Sequence, residues 1–478
     1  MGNPSLHFFA FSFITILLYQ LFRSVPWRKF VLLAANCYFL SSFTHDFRSF
    51  LPFIGFLALG YAGLRLVHST RAWAFPIALL LVIFCFIWLK KYTFLPSPLF
   101  LPFPYFAVGL SYILFRTLHL IIDTHNGLLK EIVSPLQYVL YIINFTTLVS
   151  GPIQKFPEFT GMVESPLCPR PSWPDIGIAI ERMIKGFFKA NVLALAFSDI
   201  QANGVMQLFQ TDPVTGHLLS AILAFASYPF FLYCNFSGYI DIVIGIARLL
   251  SIALPENFNR PFSSDSFIEF WSRWHITLSE WLKTYVYNPM LMNLMRRFPA
   301  PQLEPAWAVL SFFVTFFLIG IWHGQTSAFV FFGFLQGFGV STNKLYQIIM
   351  SRSFGKKSYR ALSSHPLYIA FSRGLTFSWF TFSLIWFWSN WPQVNRMFSV
   401  IGLRDALAVW VIIWAGATLV LAGWEALRKA ALSVQIRGSA VLQSRYWRTA
   451  QATGLLVITL GVVMLSNRSA PEMVYKTF

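Results

Sequence analysis

The chain has 478 residues, of which 56% are hydrophobic and 11% charged, and 36 basic against 18 acidic side chains give a net charge of +18. An ordinary soluble domain carries about 25% charged residues, and a soluble globule does not cover this much apolar surface. These values exclude a soluble enzyme, a disordered chain and a disulfide-stapled secreted scaffold. They indicate an integral membrane protein, in which a basic excess marks cytoplasmic loops and anionic lipid headgroups rather than nucleic acid.

Long apolar runs predict an all-α, multi-pass membrane protein built as one domain over residues 1–478. A spanning helix needs about 20 mostly apolar residues, and we expect about 10–13 transmembrane helices. In chain order, the runs begin near Phe8, Phe30, Phe50, Trp73, Leu101, Ser134, Ile176, His217, Pro305, Ser327, Leu367, Leu407 and Ala452. A proline-rich link at residues 168–174 separates an N-terminal helix group (1–168) from a central catalytic core (175–345), and a C-terminal helix group (346–478) follows.

Basic segments predict the orientation of the chain. Residues 23–29, 344–373 and 428–448 are rich in Lys and Arg and contain no acidic residue. By the positive-inside rule these three segments face the cytoplasm, which places the amino terminus outside. The first apolar run also precedes its basic residues, the reverse of the order in a signal peptide. We therefore expect a multi-pass protein of the bacterial inner (cytoplasmic) membrane.

Two of the apolar stretches contain or are followed by residues that are unusual for a plain membrane span. Gly151 and Pro152 follow the run from Ser134, where either a re-entrant tip or a plain turn fits the sequence. Within the run from His217 stand Asn235, Ser237, Tyr239 and Asp241. They predict either a broken helix that lines a cavity or polar contacts between helices. Residues 255–261, which include Asn257, form a turn-rich connector after that run.

Residues 266–285 predict an amphipathic interfacial helix. Ser266 followed by Glu269 is the pattern of a helix-starting capping box. Eight apolar side chains then recur every three or four residues, within about 60° of one line on the helix surface. They are Phe267, Phe270, Trp271, Trp274, Leu278, Trp281, Leu282 and Tyr285. His275 lies at the edge of this stripe, where either a polar cavity or a simple interfacial hydrogen bond is a suitable environment for it.

A second histidine stands in the middle of a stretch without any charged residue. Residues 305–343 contain no Lys, Arg, Asp or Glu, and His323 lies at their centre, followed by Gly324. An ionisable side chain in such a place indicates function, and histidine exchanges protons near neutral pH. The alternative is a turn residue between two helices at the membrane surface. Gly324 leaves room for a backbone or a substrate to approach.

Several blocks resemble membrane-bound O-acyltransferases (MBOAT), and most of all the bacterial branch that acts on alginate, cellulose and teichoic acid. The most specific are Trp274-His275-Ile276-Thr277-Leu278-Ser279 and Trp322-His323-Gly324, whose histidines are 48 residues apart. The others, in family order over about half of the chain, are Gly109-Leu110-Ser111-Tyr112, Ser150-Gly151-Pro152-Ile153, Asn235-Phe236-Ser237-Gly238-Tyr239-Ile240-Asp241, Pro255-Glu256-Asn257-Phe258-Asn259-Arg260-Pro261 and Tyr285-Val286-Tyr287.

The resemblance implies an MBOAT-like ring of helices around a central funnel, with re-entrant and interfacial helices and a buried catalytic histidine. His323 matches the family's catalytic histidine and His275 its second functional histidine. Acyl transfer to a hydroxyl needs a base and donors for the oxyanion. We assign His323 as the base, with His275, Asn257 or Arg273 as orienting or stabilising groups. The pocket is expected to be lined by Trp322, Gly324, Trp274, Arg273, Asn257, Ser237, Tyr239 and Asp241.

The resemblance also implies the reaction and its participants. The acyl donor is expected to be acetyl-CoA or an acyl-carrier thioester, with no tightly bound cofactor and no metal. The acceptor is expected to be the hydroxyls of an exported polysaccharide, with D-alanyl transfer to teichoic acid or a similar polymer as the alternative. Expected partners are membrane lipids, an extracytoplasmic acyltransferase with a serine nucleophile, and a polysaccharide synthase complex.

Two other classes of function compete with acyl transfer. A transporter or flippase is compatible with the polar segment at residues 235–241, since broken spans with polar groups line transport sites. The two histidine blocks have no rationale in transport. A membrane scaffold for a synthase complex is the other alternative, and it requires neither histidine.

Overall fold

The computed structural model describes residues 6–44, 46–69, 71–167, 169–210, 216–436, 439–440, 444–466, 471–472 and 474. Cys168, the first residue of the predicted domain link, and Arg437, within the third basic segment, lie outside the described residues. The described chain divides into two compact units. Unit 1 comprises Met1–Phe187, Phe236–Glu256 and Glu472–Phe478, and unit 2 comprises Phe188–Asn235 and Asn257–Pro471. The three predicted helix groups stay a prediction.

The all-α prediction is confirmed. The first helices of the chain are α1 (Leu6–Leu21), α2 (Val25–Ser41), α3 (Phe47–His68), α4 (Ala74–Leu89), α5 (Leu110–His125), α6 (Pro135–Ile142), α7 (Phe156–Val163) and α8 (Trp173–Phe188). A π-helical turn, Lys189–Leu193, leads into α9 (Ala194–Leu208) and α10 (His217–Leu249).

Unit 2 continues with short helices and then with long ones. They are α11 (Phe267–Arg273), α12 (Ile276–Leu282), α13 (Asn288–Arg297), α14 (Glu304–His323), α15 (Ser327–Ser353), α16 (Lys356–Ser363), α17 (Pro366–Ser383), α18 (Ile385–Trp388), α19 (Trp391–Ser433) and α20 (Arg445–Ser466). A two-residue antiparallel pair, β1 (Gln435–Ile436) with β2 (Ser439–Ala440), links α19 to α20.

Within the described residues, five helices are long and apolar enough to cross a membrane by length and composition. They are α3, α10, α14, α19 and α20, and α4 is a shorter apolar helix. Their outward side chains are apolar: Leu80 in α4 is 65% exposed, Leu419 in α19 is 75% and Leu465 in α20 is 89%. Such surfaces are stable against hydrocarbon and not against water. The number of helices that span the bilayer stays a prediction.

The polar segment within α10 does not break the helix. α10 runs without interruption from His217 to Leu249, so of the two alternatives for residues 235–241 the broken helix is wrong. Glycine and serine are tolerated here because the helix keeps its own backbone hydrogen bonds. Gly186 of α8 allows close packing against this segment within unit 1, since a Cβ on Gly186 would lie 2.6 Å from the carbonyl oxygen of Gly238.

A buried cation supports irregular backbone in unit 1. Residues 143–154 form no regular helix and are buried. The guanidinium of Arg116, itself 1% exposed, donates to the carbonyl oxygens of Ile142 at 2.8 Å and Thr147 at 2.8 Å. Buried carbonyl groups need such partners where no helix supplies them. Gly151 is required here because a Cβ would lie 2.4 Å from the Cα of Thr147.

Glycines let α14 and α15 approach each other closely in unit 2. A Cβ on Gly320 would lie 2.1 Å from the Cα of Gly333, and one on Gly337 would lie 2.7 Å from the carbonyl oxygen of Phe313. Distances this short are excluded for a real Cβ, so only glycine permits this crossing. The crossing matters for the site because Gly320 lies one turn before His323, the last residue of α14.

The variant Gly320→Ala tests this crossing. Its methyl group forces the two helices apart, which typically costs about 1–3 kcal/mol, so the thermal unfolding midpoint in detergent micelles should fall. Gly416→Ala is the matched control, because nothing lies within 4 Å of a Cβ at that exposed position of α19. There alanine should be neutral or stabilising, by up to about 1 kcal/mol. Equal midpoints for the two variants would contradict the role of the crossing.

Candidate active site

The predicted continuous helix over residues 266–285 is wrong. The chain forms α11, then Trp274 and His275 in non-helical conformations, then α12 and a π-helical turn, Lys283–Tyr287. The predicted helix start is correct, because Ser266 Oγ accepts a hydrogen bond from the backbone N–H of Glu269 at 3.2 Å. His275 has a φ of 47°, in the left-handed region. Placing His275 on a stripe edge assumed unbroken helical periodicity, which does not hold here.

Backbone hydrogen bonds from the connector at residues 257–259 hold this break. The N–H of Ile276 donates to the carbonyl oxygen of Asn257 at 3.0 Å, and the N–H of Asn259 donates to that of Arg273 at 2.9 Å. These two bonds replace the helical ones that α11 and α12 lose where they separate. The connector therefore lies against Trp274 and His275, the two non-helical residues between α11 and α12.

The side chain of Asn257 also bonds to the residues at this break, and it orients His275. Its Oδ1 accepts from the backbone N–H of Thr277 at 3.1 Å and from the Thr277 hydroxyl at 2.9 Å, and it lies 3.2 Å from His275 Nδ1. The backbone N–H is an obligatory donor, so it identifies this atom as the amide oxygen. An amide oxygen only accepts, and therefore Nδ1 of His275 carries the proton and Nε2 carries the lone pair.

His323 has the same tautomer through a different partner. Its Nδ1 lies 2.6 Å from the carbonyl oxygen of Ile319, one turn earlier in α14. A carbonyl oxygen accepts only, so Nδ1 is again the protonated nitrogen and Nε2 the basic one. The ring makes edge-to-face contacts with Phe387, at a centroid distance of 5.3 Å, and with Phe332, at 5.9 Å.

Unit 2 brings both histidines to the same indole ring. The ring centroid of Trp322 lies 4.6 Å from that of His323 and 6.3 Å from that of His275, both edge-to-face. His275 is 0% exposed and His323 is 2% exposed. Two neutral bases are thus held in an aromatic, dry environment, where an unprotonated imidazole is the favoured form.

Three other predicted pocket residues belong to the same unit. Trp274 is buried, stacks on Phe270 at 5.6 Å and supports the break from the α11 side. The guanidinium of Arg273 forms an ion pair with Glu269 one turn earlier, which directs it along α11. Gly324 accommodates the Phe329 ring, since a Cβ there would lie 2.0 Å from that ring.

The remaining predicted pocket residues belong to unit 1. Asp241 accepts an ion-paired hydrogen bond from Arg182 Nε at 3.0 Å, and the same guanidinium holds Glu256. Ser237 and Tyr239 are buried in α10. The ion pair gives Asp241 a structural partner, and the pocket role of these three residues stays a prediction.

Sequence reasoning missed Thr277, Phe332 and Phe387. Thr277 follows the histidine by two residues and is polar between two apolar neighbours, a signal that was available for it. The two phenylalanines had none, because 53 phenylalanines occur in the chain. Among the described residues, no group of three or more His, Cys, Asp and Glu side chains converges to hold a metal ion.

The chain belongs to the membrane-bound O-acyltransferase family. A model of that family matches residues 56–386, which include both histidine blocks and the Asn257 connector. The protein is therefore a multi-pass membrane protein of this family.

Individual relatives differ in the substrates that their names give. The chain is similar to a teichoic acid D-alanyltransferase of Bacillus subtilis, with 31% identity over 47% of this chain and 56% of the relative. It is also similar to a probable alginate O-acetylase of Azotobacter vinelandii, with 26% identity over 71% of this chain and 68% of the relative. A peptidoglycan O-acetyltransferase of Helicobacter pylori shares 31% identity over 44% of this chain and 38% of the relative. The chain thus spans from about two fifths to two thirds of these relatives.

The burial of His275 predicts a pH dependence of stability. Burial, together with the neighbouring His323, lowers the pKa of His275 well below its usual value near 6.5. The unfolded chain therefore binds a proton that the folded chain does not, and stability is lost as pH falls below about 6.5. The loss approaches about 1.4 kcal/mol per pH unit. The unfolding midpoint of His275→Gln in micelles should fall less between pH 7.5 and 5 than that of the parent protein.

The exposed His125 provides the control for that measurement. It ends α5 and stacks on Phe75 in unit 1. His125→Gln should retain the pH dependence of the parent protein. The assignment of the effect to His275 is wrong if His125→Gln and His275→Gln have the same slope against pH.

Proposed function

We propose that this enzyme transfers an acyl group, and specifically acetyl, from a thioester to hydroxyl groups of an exported polysaccharide at the bacterial inner membrane. The observation that carries the proposal is the shared tautomer of His275 and His323. In each ring Nδ1–H faces an acceptor oxygen and Nε2 carries the lone pair. A buried neutral imidazole with a basic Nε2 is suited to take a proton from an attacking hydroxyl.

His323 is the general base in this proposal. Its Nε2 removes the proton from the acceptor hydroxyl as the hydroxyl oxygen bonds to the acyl carbon. The carbon–sulfur bond then breaks, and the imidazolium returns the proton to the leaving thiolate. The carbonyl of Ile319 stabilises the imidazolium through the Nδ1–H that it already accepts. Products are the ester and the free thiol, so the histidine is regenerated unchanged.

His275 has a different role in the same step. Because its Nδ1–H is committed to Asn257, its neutral form offers an acceptor at Nε2 and not a donor for an oxyanion. It therefore positions a donor group, such as the acceptor hydroxyl or an amide of the thioester arm. Asn257 Nδ2 is buried and has no hydrogen-bond partner within the described part of the chain, so it is the available donor beside His275.

Acetyl transfer to a polysaccharide is favoured over D-alanyl transfer by the extent of similarity. The alginate O-acetylase aligns with 71% of this chain and the teichoic acid D-alanyltransferase with 47%. An extracytoplasmic acyltransferase with a serine nucleophile and a synthase complex remain the proposed partners. Acyl transfer by the purified protein from radiolabelled acetyl-CoA and, separately, from a D-alanyl carrier thioester discriminates between the two donors. Mass spectrometry of envelope polymers from a deletion strain identifies the acceptor.

His323→Gln should abolish acyl transfer. Glutamine has a similar size but cannot act as a base, and general-base catalysis contributes about 10²–10⁴-fold. Single-turnover transfer of radiolabelled acyl groups by protein in nanodiscs measures the effect, and amounts of folded protein are compared by gel filtration. His125→Gln is the matched control and should react at the parent rate. Normal transfer by folded His323→Gln would overturn the mechanism.

Asn257 is predicted to be a positioning residue, and two variants separate that role from a structural one. Asn257→Ala removes the oxygen that accepts from the His275 ring, and it leaves the N–H and the hydroxyl of Thr277 without their acceptor. Activity and stability should therefore both fall, and the free energy of unfolding should fall by about 1–3 kcal/mol. Asn257→Asp keeps the acceptor oxygen and should restore the fold. Its charge stabilises the His275 imidazolium, so the acidic limb of the pH–rate profile should move to higher pH. An unshifted profile would remove Asn257 from the proposed site.

A further inference from the structure

A cavity of about 700 Å³ lies within unit 2, in a part of the unit that the proposed reaction does not use. It is bounded by the start of α11, the second half of α15, α16, α17 and Trp410 of α19. Of the described residues that line it, none is His275, His323, Trp322 or Asn257. Its volume is within the range of small-molecule sites, about 300–1,000 Å³.

One end of the cavity is aromatic and opens on the outer surface of the helices. Phe338, Phe371 and Leu375 line it and are 46%, 51% and 39% exposed. In a membrane protein, side chains of this kind on the outside of apolar helices contact lipid chains. Trp379 and Trp410 line the cavity as well. An alkyl chain from the bilayer can therefore enter this end without crossing a polar barrier.

The other end of the cavity is rich in hydroxyl groups. Tyr346, Tyr359 and Tyr368 line it, and the Tyr368 hydroxyl donates to the Tyr346 hydroxyl at 3.2 Å. Ser363 and Ser372 also line it. Hydroxyl groups both donate and accept, so this end offers several hydrogen bonds to phosphate and polyol oxygens.

A buried donor points to a missing ligand in the same cavity. The indole Nε1 of Trp379 is buried and has no hydrogen-bond partner among the described residues. A Cβ on Gly339 would lie 2.2 Å from this nitrogen. Gly339 and Trp379 both line the cavity. A buried N–H without a partner costs free energy, which an acceptor in the cavity would recover.

Basic residues lie on α16, the helix that carries part of the polar end. Residues 344–373 carry six Lys or Arg side chains and no acid. Lys356 precedes Tyr359 by three residues and Ser363 by seven, so one face of α16 carries all three. Arg360, between the two lining residues of α16, is exposed. The surface beside this end is therefore positive and attracts anionic headgroups.

The lining contains one carboxyl group, that of Asp265. Its burial and the adjacent Glu269 carboxyl raise the pKa of Asp265 to about 6. A carboxyl group accepts hydrogen bonds from hydroxyl groups. When it is ionised, its negative charge repels a phosphate group that carries no hydroxylated substituent. The lining thus suits a headgroup that has both a phosphate and hydroxyl groups.

We propose that this cavity binds an anionic phospholipid with a hydroxylated headgroup, of the phosphatidylglycerol type. Its acyl chains lie along Phe338, Phe371 and Leu375, and its phosphate lies by the tyrosine hydroxyls, Lys356 and Arg360. The headgroup hydroxyls meet Asp265. This inference concerns membrane lipid and is independent of the acyl transfer proposed above.

Lipid retention by the purified full-length protein tests the proposal. The protein is exchanged between nanodiscs of phosphatidylglycerol and phosphatidylcholine, and bound lipid is counted by native mass spectrometry after transfer to detergent. Phosphatidylglycerol should be retained and phosphatidylcholine should not. Lys356→Ala with Arg360→Ala should weaken retention about 30-fold, since each basic residue contributes about 1 kcal/mol. Leu375→Trp, which fills the apolar end, should also reduce retention.

The double variant Arg296→Ala with Arg297→Ala is the matched control. It removes the same charge from exposed positions of α13 that do not line the cavity, so it should retain lipid as the parent protein does. Equal losses in the two double variants would indicate unspecific surface charge and overturn the proposal. Equal retention of both lipids would overturn it as well, and so would displacement of the lipid by acetyl-CoA. None of these outcomes depends on acyl transfer.

Discussion

The geometry of the site depends on one amide oxygen. Asn257 Oδ1 receives the Thr277 N–H, the Thr277 hydroxyl and the Nδ1–H of His275, all in a fully buried place. A left-handed φ at a residue other than glycine costs about 1–2 kcal/mol, and these hydrogen bonds offset that cost at His275. Without an acceptor there, α11 and α12 would be free to join into one helix. His275 would then return to the helix surface.

The second histidine is positioned within its own helix, by its hydrogen bond to the carbonyl oxygen of Ile319 and by packing, and not by a connector. His323 ends α14, and the glycine crossing with α15 brings Phe332 to its ring. The two histidines are thus fixed by independent means, one by a connector hydrogen bond and the other within its own helix and by helix packing. Trp322 lies against both rings. A shift of either element would change the distance between the two basic nitrogens. In the proposed acyl transfer this distance has to stay fixed, because the two bound substrates must be held in a reactive geometry.

The sequence was most informative where its signals are chemical. The isolated ionisable residue in an apolar stretch indicated His323, which the structure buries among aromatic rings, and the capping pattern located the start of α11 at Ser266. The break at His275 was not predictable from periodicity, because the apolar spacing continues across it and only the distant Asn257 explains it. α10 shows the opposite error, since polar residues suggested a break where the backbone stays helical. Aromatic neighbours such as Phe387 gave no signal in a chain with 53 phenylalanines.

The distribution of charge explains why the chemistry rests on neutral groups. Burying a charge in a low-dielectric interior is expensive, and ionisable groups placed there favour the uncharged form. Histidine is the side chain that can be buried neutral and still accept a proton near neutral pH. In the proposed mechanism, a proton taken by His323 creates a charge that the aromatic surroundings disfavour, and this favours its transfer to the leaving thiolate. The basic side chains of residues 344–373 remain at the surface, where water and lipid headgroups solvate them, so the site and the membrane contacts of this protein use separate sets of residues.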